Sequence, residues 1–124
     1  MSFDYQGLAQ QFVNVYYSQF SADRSQLASL YRDNSMLTFE RDQVQGTAAI
    51  VQKLTSLGFQ KVQHEIATLD AQPGTPGSRD VIVMVTGKLL IDDEPAPKGY
   101  SQVFHLLLEG ESYYVYNDIF RLVF

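Results

Sequence analysis

The hydrophobic period of this chain changes once, near residue 60, and that change limits what it can fold into. Before it, Leu8, Phe12, Val15, Tyr16 and Phe20 recur at i, i+4, i+7, i+8 and i+12, which predicts one helix over 5–20. Asp23 and Gln26 fit a capping box for a short second helix that turns Leu27, Leu30 and Tyr31 inward and stops at Asn34. Residues 35–40 read as a strand. Gly46 and Thr47 open a third helix with the stripe Ile50, Val51, Leu54 and Leu57, closed by Gly58. Beyond it the period is 2, with strands expected over 61–72, 80–91, 100–108 and 113–124, separated by Pro-, Gly- and Ser-rich turns. Helices followed by a strand meander predict an α+β fold: three N-terminal helices packed on one face of a curved antiparallel sheet, in a single domain over 1–124.

The strands do not alternate as a half-wet sheet should. Val81 to Val85, Phe104 to Leu108 and Tyr113 to Tyr116 are apolar at successive positions. Three helices cover one face only, so a homodimer packed sheet to sheet is expected, with Val83, Met84, Val85 and His64 at the contact. The alternative is a sheet that curls over its own second face.

Composition narrows the partners. At 124 residues and 45% hydrophobic, with eight Tyr and eight Phe, the chain can bury a core, which excludes disorder for most of its length. Its net charge of −5 argues against nucleic acid and anionic membranes as partners and favours basic protein surfaces. With no cysteine there is no disulfide, zinc-thiolate site or thiol catalysis. The start at Met1 lacks a secretory pattern and no apolar run approaches a membrane span, so an intracellular, soluble chain is expected.

Acidic residues mark the candidate site. Asp92-Asp93-Glu94 follows a strongly apolar strand, and Glu40 ends another. Three adjacent carboxylates repel one another and add little to folding, so a cationic partner is the natural complement.

The segments Asp23-Arg24-Ser25-Gln26-Leu27, Leu37-Thr38-Phe39-Glu40, Phe59-Gln60-Lys61-Val62-Gln63-His64, Leu69-Asp70-Ala71-Gln72-Pro73, Gln102-Val103-Phe104 and Asn117-Asp118-Ile119-Phe120-Arg121-Leu122 carry a resemblance that runs almost end to end. By these segments the chain resembles the nuclear transport factor 2 family. The resemblance implies a cone-shaped roll, a homodimer, no cofactor and no metal. It also implies a carrier of the small GTPase Ran in its GDP form that binds phenylalanine-glycine repeats of nucleoporins. Such a carrier would work in cytoplasm and nucleus, concentrated at the nuclear pore.

It implies two sites as well. An aromatic side chain of Ran would enter a cavity lined by Phe39, Leu57, Val62 and Phe120, with its basic neighbours paired to Glu40, Asp92 and Glu94. Asp93, on the opposite side of the chain, would point away. Repeat phenylalanines would meet Tyr5 and Ser21 and, from the neighbouring subunit, the turn containing Pro73 and Pro76. Ser21 stands where the family often has an acid, and Gly58 where it often has proline.

The same cone hosts dehydratases and isomerases, so an enzyme is the alternative reading. It would need a tuned base in the cavity with a polar partner, and His64, His105, Asp118, Tyr114 and Tyr116 are the candidates. No Asp–His pair has obvious catalytic spacing, and two histidines make a poor metal site. A third reading is an interaction module within a longer chain. The start at Met1 and the end on a strand favour a freestanding carrier.

Overall fold

The computed structural model describes residues 3–123, so Met1 and the expected last strand residue Phe124 lie outside the described residues. Helix α1 spans Tyr5–Ala22, and the Asp4 carboxylate accepts the Gly7 N–H at its start. It buries Ala9, Val13, Tyr16, Tyr17 and Phe20. This face is rotated from the expected one, leaving Leu8 and Phe12 half-buried and Val15 in solvent. Apolar residues cover more than half the circumference of this helix, so spacing alone could not choose the core face.

Residues 24–30 form a seven-residue 3₁₀ helix. Asp23 caps it as expected, but onto the N–H and hydroxyl of Ser25 and not onto Gln26. The turn ends before Tyr31, which opens strand β1 (Tyr31–Phe39), so Asn34 lies within a strand. A strand absent from the sequence reading follows: β2 (Asp42–Gln45), four residues in which only Val44 is apolar. Helix α2 spans Thr47–Thr55 and buries Ile50 and Leu54. Strands β3 (Val62–Pro73), β4 (Val81–Ile91), β5 (Lys98–Glu109) and β6 (Ser112–Val123) complete the chain.

The six strands form one sheet in the order β2-β1-β6-β5-β4-β3. Four of its five pairings are antiparallel. The fifth, β1 with β6, is parallel, so the sheet is mixed. The α+β cone expected from the sequence is thus present, with this one strand direction added. Gly87 of β4 marks a tight place beside the irregularity between Ile66 and Thr68. A Cβ there would lie 2.0 Å from the Glu65 carbonyl oxygen, so no side chain fits.

Beneath α1 the inward residues alternate cleanly. Val81, Val83 and Val85 are buried, while Ile82 and Met84 between them are 40% and 48% exposed. This corrects the placing of Val83 and Val85 at a subunit contact. A period of 2 turns them into the chain's own core, alongside Phe104 and Leu106, and leaves only Met84 of the three on the outer face.

Candidate functional site

Strand polarity gathers the site at one end of the sheet. Phe39 pairs with Phe120, Gly99 with Val123 and Val62 with Ile91. The C-terminal ends of β1, β4 and β6 therefore meet the N-terminal ends of β3 and β5. Between them lies a cavity walled by Phe39, Phe120 and Val62 from strands, Phe20 from α1, Leu54 from α2, and Phe59 from the connection between α2 and β3. Three of the four expected wall residues are thus together, and Phe39 stacks on Phe120 with centroids 4.7 Å apart. Leu57 is half-buried against the core but is not part of the lining. The interior volume is about 10 Å3, room for about one water.

The rim acids have structural duties as well. Glu40 is the first residue of the two-residue β1–β2 hairpin, and its φ of 62° is left-handed. In the matching hairpin between β5 and β6 the same place is held by Gly110, φ 63°. Glutamate rarely adopts that conformation. Here its carboxylate accepts the Leu122 N–H and its own N–H binds the Phe120 carbonyl at 3.0 Å. Asp92, φ 50°, accepts the N–H groups of Gln60 and Lys61 at 3.0 and 2.8 Å. Two acidic residues at this end of the sheet thus hold left-handed backbone, a region that residues other than glycine sparsely populate. Glu94 is exposed and lies 3.7 Å from the Lys98 ammonium. Asp93 is exposed beside Asp92.

The cavity floor is polar and closed upon itself. Asp118 is buried, its Oδ2 accepting the hydroxyls of Tyr31 at 2.8 Å and Tyr16 at 3.2 Å, its Oδ1 the Gln102 amide at 2.8 Å. Burial lifts its pKa to about 6, against the pull of those three donors. Burial, then the Asp118 charge, raises both tyrosines well above the usual phenol range. His64 stacks on Tyr17 at 3.8 Å and lines the same cavity. Burial depresses its pKa to about 3, so it is neutral at ordinary pH. It therefore faces the cavity, and not the outer face where a sheet-to-sheet contact would need it. The reason is the register: His64 shares its side of β3 with Val62 at the mouth.

A second basin, about 500 Å3, lies between Tyr5 and residues 73–78 of the same chain. The turn with Pro73 and Pro76 thus reaches Tyr5 without a neighbouring subunit. Asp80 shapes this turn. Its carboxylate accepts the Thr75 N–H and hydroxyl at 3.0 and 2.8 Å and meets the His105 ring nitrogen at 2.7 Å. The His105 hydrogen bond, before the others, holds the Asp80 pKa down to about 2. Ser21 does not belong to this basin. It lies 16 residues along α1 from Tyr5, about 24 Å at the helical rise, and donates to the Val62 carbonyl at 2.7 Å.

Of the enzyme candidates, Tyr114 accepts the Asn34 amide at 3.3 Å, and Tyr116 lies edge-on to His105. Neither lines the cavity. Among the described residues no three His, Asp or Glu side chains are grouped to hold a metal, and no helix is long and apolar enough to cross a membrane.

The family model described as "Nuclear transport factor 2 (NTF2) domain" matches residues 8–122. The chain belongs to the nuclear transport factor 2 family. Nuclear transport factor 2 of Candida glabrata is 65% identical over 122 residues, 98% of this chain and 97% of that protein. Nuclear transport factor 2 of Eremothecium gossypii is 66% identical with the same coverage. The solved nuclear transport factor 2 of Cryptosporidium parvum superposes with a TM-score of 0.88 at 42% identity, covering 98% of this chain and 100% of that one. Such relatives support a role in nuclear transport for this member of the nuclear transport factor 2 family. Their names describe transport factors and not enzymes.

The sequence reading did not place Phe20, Leu54 or Phe59 at the site, nor Arg24 beside Phe59. The Arg24 guanidinium lies over the rings of Phe59 and Phe20 at 5.0 and 5.5 Å and donates to the Phe59 carbonyl at 2.8 Å. An aromatic directly after Gly58, which lies beyond the end of α2 at Thr55 and does not close it, was the available signal.

Proposed function

We propose that this chain is a nuclear import carrier whose cavity takes an exposed aromatic side chain of Ran in its GDP form, with basic residues of Ran paired to Glu40, Asp92 and Glu94. The observation that supports the reading is an apolar cavity at the end of the sheet where the turns carrying Glu40 and Asp92 also lie. Burying one phenylalanine ring is worth about 2–3 kcal/mol, and the rim charges add orientation and selectivity. A carrier discriminates the GDP form if only that form presents the ring and the basic groups together.

Nucleoporin repeats would meet the basin between Tyr5 and residues 73–78, weak single contacts gaining avidity from repetition. A homodimer would cover the outer face, where Ile82, Met84 and Ile119 lie 40–49% exposed. Cytoplasm and nucleus, with concentration at the pore, follow from such a cycle. The enzyme alternative gains little from Asp118, whose carboxylate is already engaged by three buried donors that hold it in the cavity floor.

The test is capture of Ran loaded with GDP or GTP on the immobilised protein. Retention of the GDP form alone supports the carrier, and retention of neither returns the enzyme reading. Titrating a Phe-x-Phe-Gly peptide into Tyr5→Ala tests the second basin, and unchanged affinity would clear Tyr5 of that role.

A further inference from the structure

The cavity cannot accept a ring as it stands. An aromatic the size of benzene occupies a site of about 150 Å3, against about 10 Å3 here, so a wall must move. Of the described residues lining the cavity, Phe59 is the one outside every helix and strand. The others are held by the sheet ladders, α1 or α2. Gly58 beside it is open, with no atom within 4 Å of where a Cβ would stand. The chain is thus not packed against at Gly58 on that side.

We propose that residues 57–61 form a gate, that the Phe59 ring fills the place a partner's aromatic side chain takes, and that Arg24 and Asp92 are its two latches. The inference rests on the carrier reading for the partner's identity and on the geometry alone for the motion. The Arg24 latch holds by one hydrogen bond and the face of one ring, while its Nη1 is buried with no hydrogen-bond partner. A half-satisfied guanidinium is a weak clasp. The Asp92 latch holds the far end of the segment through the N–H groups of Gln60 and Lys61. Both N–H groups use Oδ1, so a basic side chain pairing through Oδ2 draws charge from the oxygen that holds the segment and weakens its grip. Charge at the rim and aromatic in the cavity therefore bind cooperatively: the first contact frees the wall the second must displace.

The experiment uses benzene as probe on the free protein, followed by methyl shifts of Leu37, Leu54 and Leu89. Phe59→Ala should bind benzene at least tenfold more tightly than the unsubstituted chain. Equal affinities would overturn the gate. Should Phe59→Ala lose its cooperative melt, Phe59→Leu takes its place. Arg24→Gln provides an independent reading: amide hydrogen exchange at Gln60 and Lys61 should quicken at least fivefold with Val13 unchanged, and no change there would also overturn it. Ran loaded with GDP is then added to each. Faster association with Arg24→Gln supports the gate, and identical association rates for all variants sink it. Benzene entering as expected while Ran-GDP binds none of the proteins would remove the carrier reading and leave the gate standing.

Discussion

Asp92 and Lys61 hold each other twice. The Asp92 N–H donates to the Lys61 carbonyl at 2.8 Å, and the Lys61 N–H donates back to the Asp92 carboxylate at 2.8 Å. An acid that looks in the sequence like a free charge is also the fastener that joins β3 to the end of β4.

The two duties of Asp92 separate by substitution. Asp92→Asn keeps the acceptor oxygen and tolerates the left-handed backbone, so its unfolding free energy from urea melts should match the parent within about 0.5 kcal/mol. Ran-GDP affinity should still fall about tenfold through lost charge. Asp92→Ala should in addition lose about 1–2 kcal/mol of stability. Equal Ran-GDP affinity for Asp92→Asn and the parent would show the charge to be idle.

Glu40 follows the same logic with a harsher substitution at hand. Glu40→Lys removes both the charge and the acceptor of the Leu122 N–H, and should cost about 1–2 kcal/mol while abolishing Ran-GDP binding. Glu40→Gln keeps the acceptor and should leave stability near the parent's. Isothermal titration beside thermal melts reads both. Binding retained at low micromolar affinity in Glu40→Lys would remove the site.

The outer face is open to a direct check. Met84 and Ile119 flank Val103 across β4, β5 and β6. Placing charge there, as Met84→Glu with Ile119→Glu, should turn a dimer into a folded monomer in sedimentation equilibrium, with near-parental far-ultraviolet dichroism. A parental mass for this variant would mean that any dimer uses another surface.

Acid titration should expose two opposed groups. The folded-state pKa of His64 is depressed to about 3, so between pH 6.5 and 4 the unfolded chain takes its proton and the folded chain does not. Stability falls there by about 3 kcal/mol. The Asp118 pKa is raised to about 6, so over nearly the same window the folded chain takes the proton first and stability rises by about 3 kcal/mol. The parent should look nearly flat in urea melts from pH 4.5 to 7 as far as these two are concerned. His64→Gln should gain stability on acidification and Asp118→Asn should lose it. Matching slopes in the two variants would contradict this assignment.

Much of the scaffold is visible in local pattern. The long helix and the strands from residue 62 onward each carry their own periodicity, and the Pro- and Gly-rich turns punctuate them. What escaped depends on distant neighbours. Tyr31 opens a strand and leaves the preceding helix because Val115 pairs with it and Asp118 takes its hydroxyl. β2 is too short and polar to announce itself, and exists because the Glu40 turn folds it against β1. The acids were legible as charges, and Phe39, Val62 and Phe120 as apolar neighbours of the mouth. The left-handed backbone of Glu40 was not, since nothing in glutamate favours it.

The parallel pairing of β1 with β6 also governs when the molecule can come into being. Tyr31 and Asp118, joined by a hydrogen bond, are separated by 87 positions, and such closures are slow. During synthesis β1 can fold back on β2 at once, but its other edge stays open until β6 has been made. Until then the Tyr31 hydroxyl lacks the carboxylate that holds it in the finished molecule.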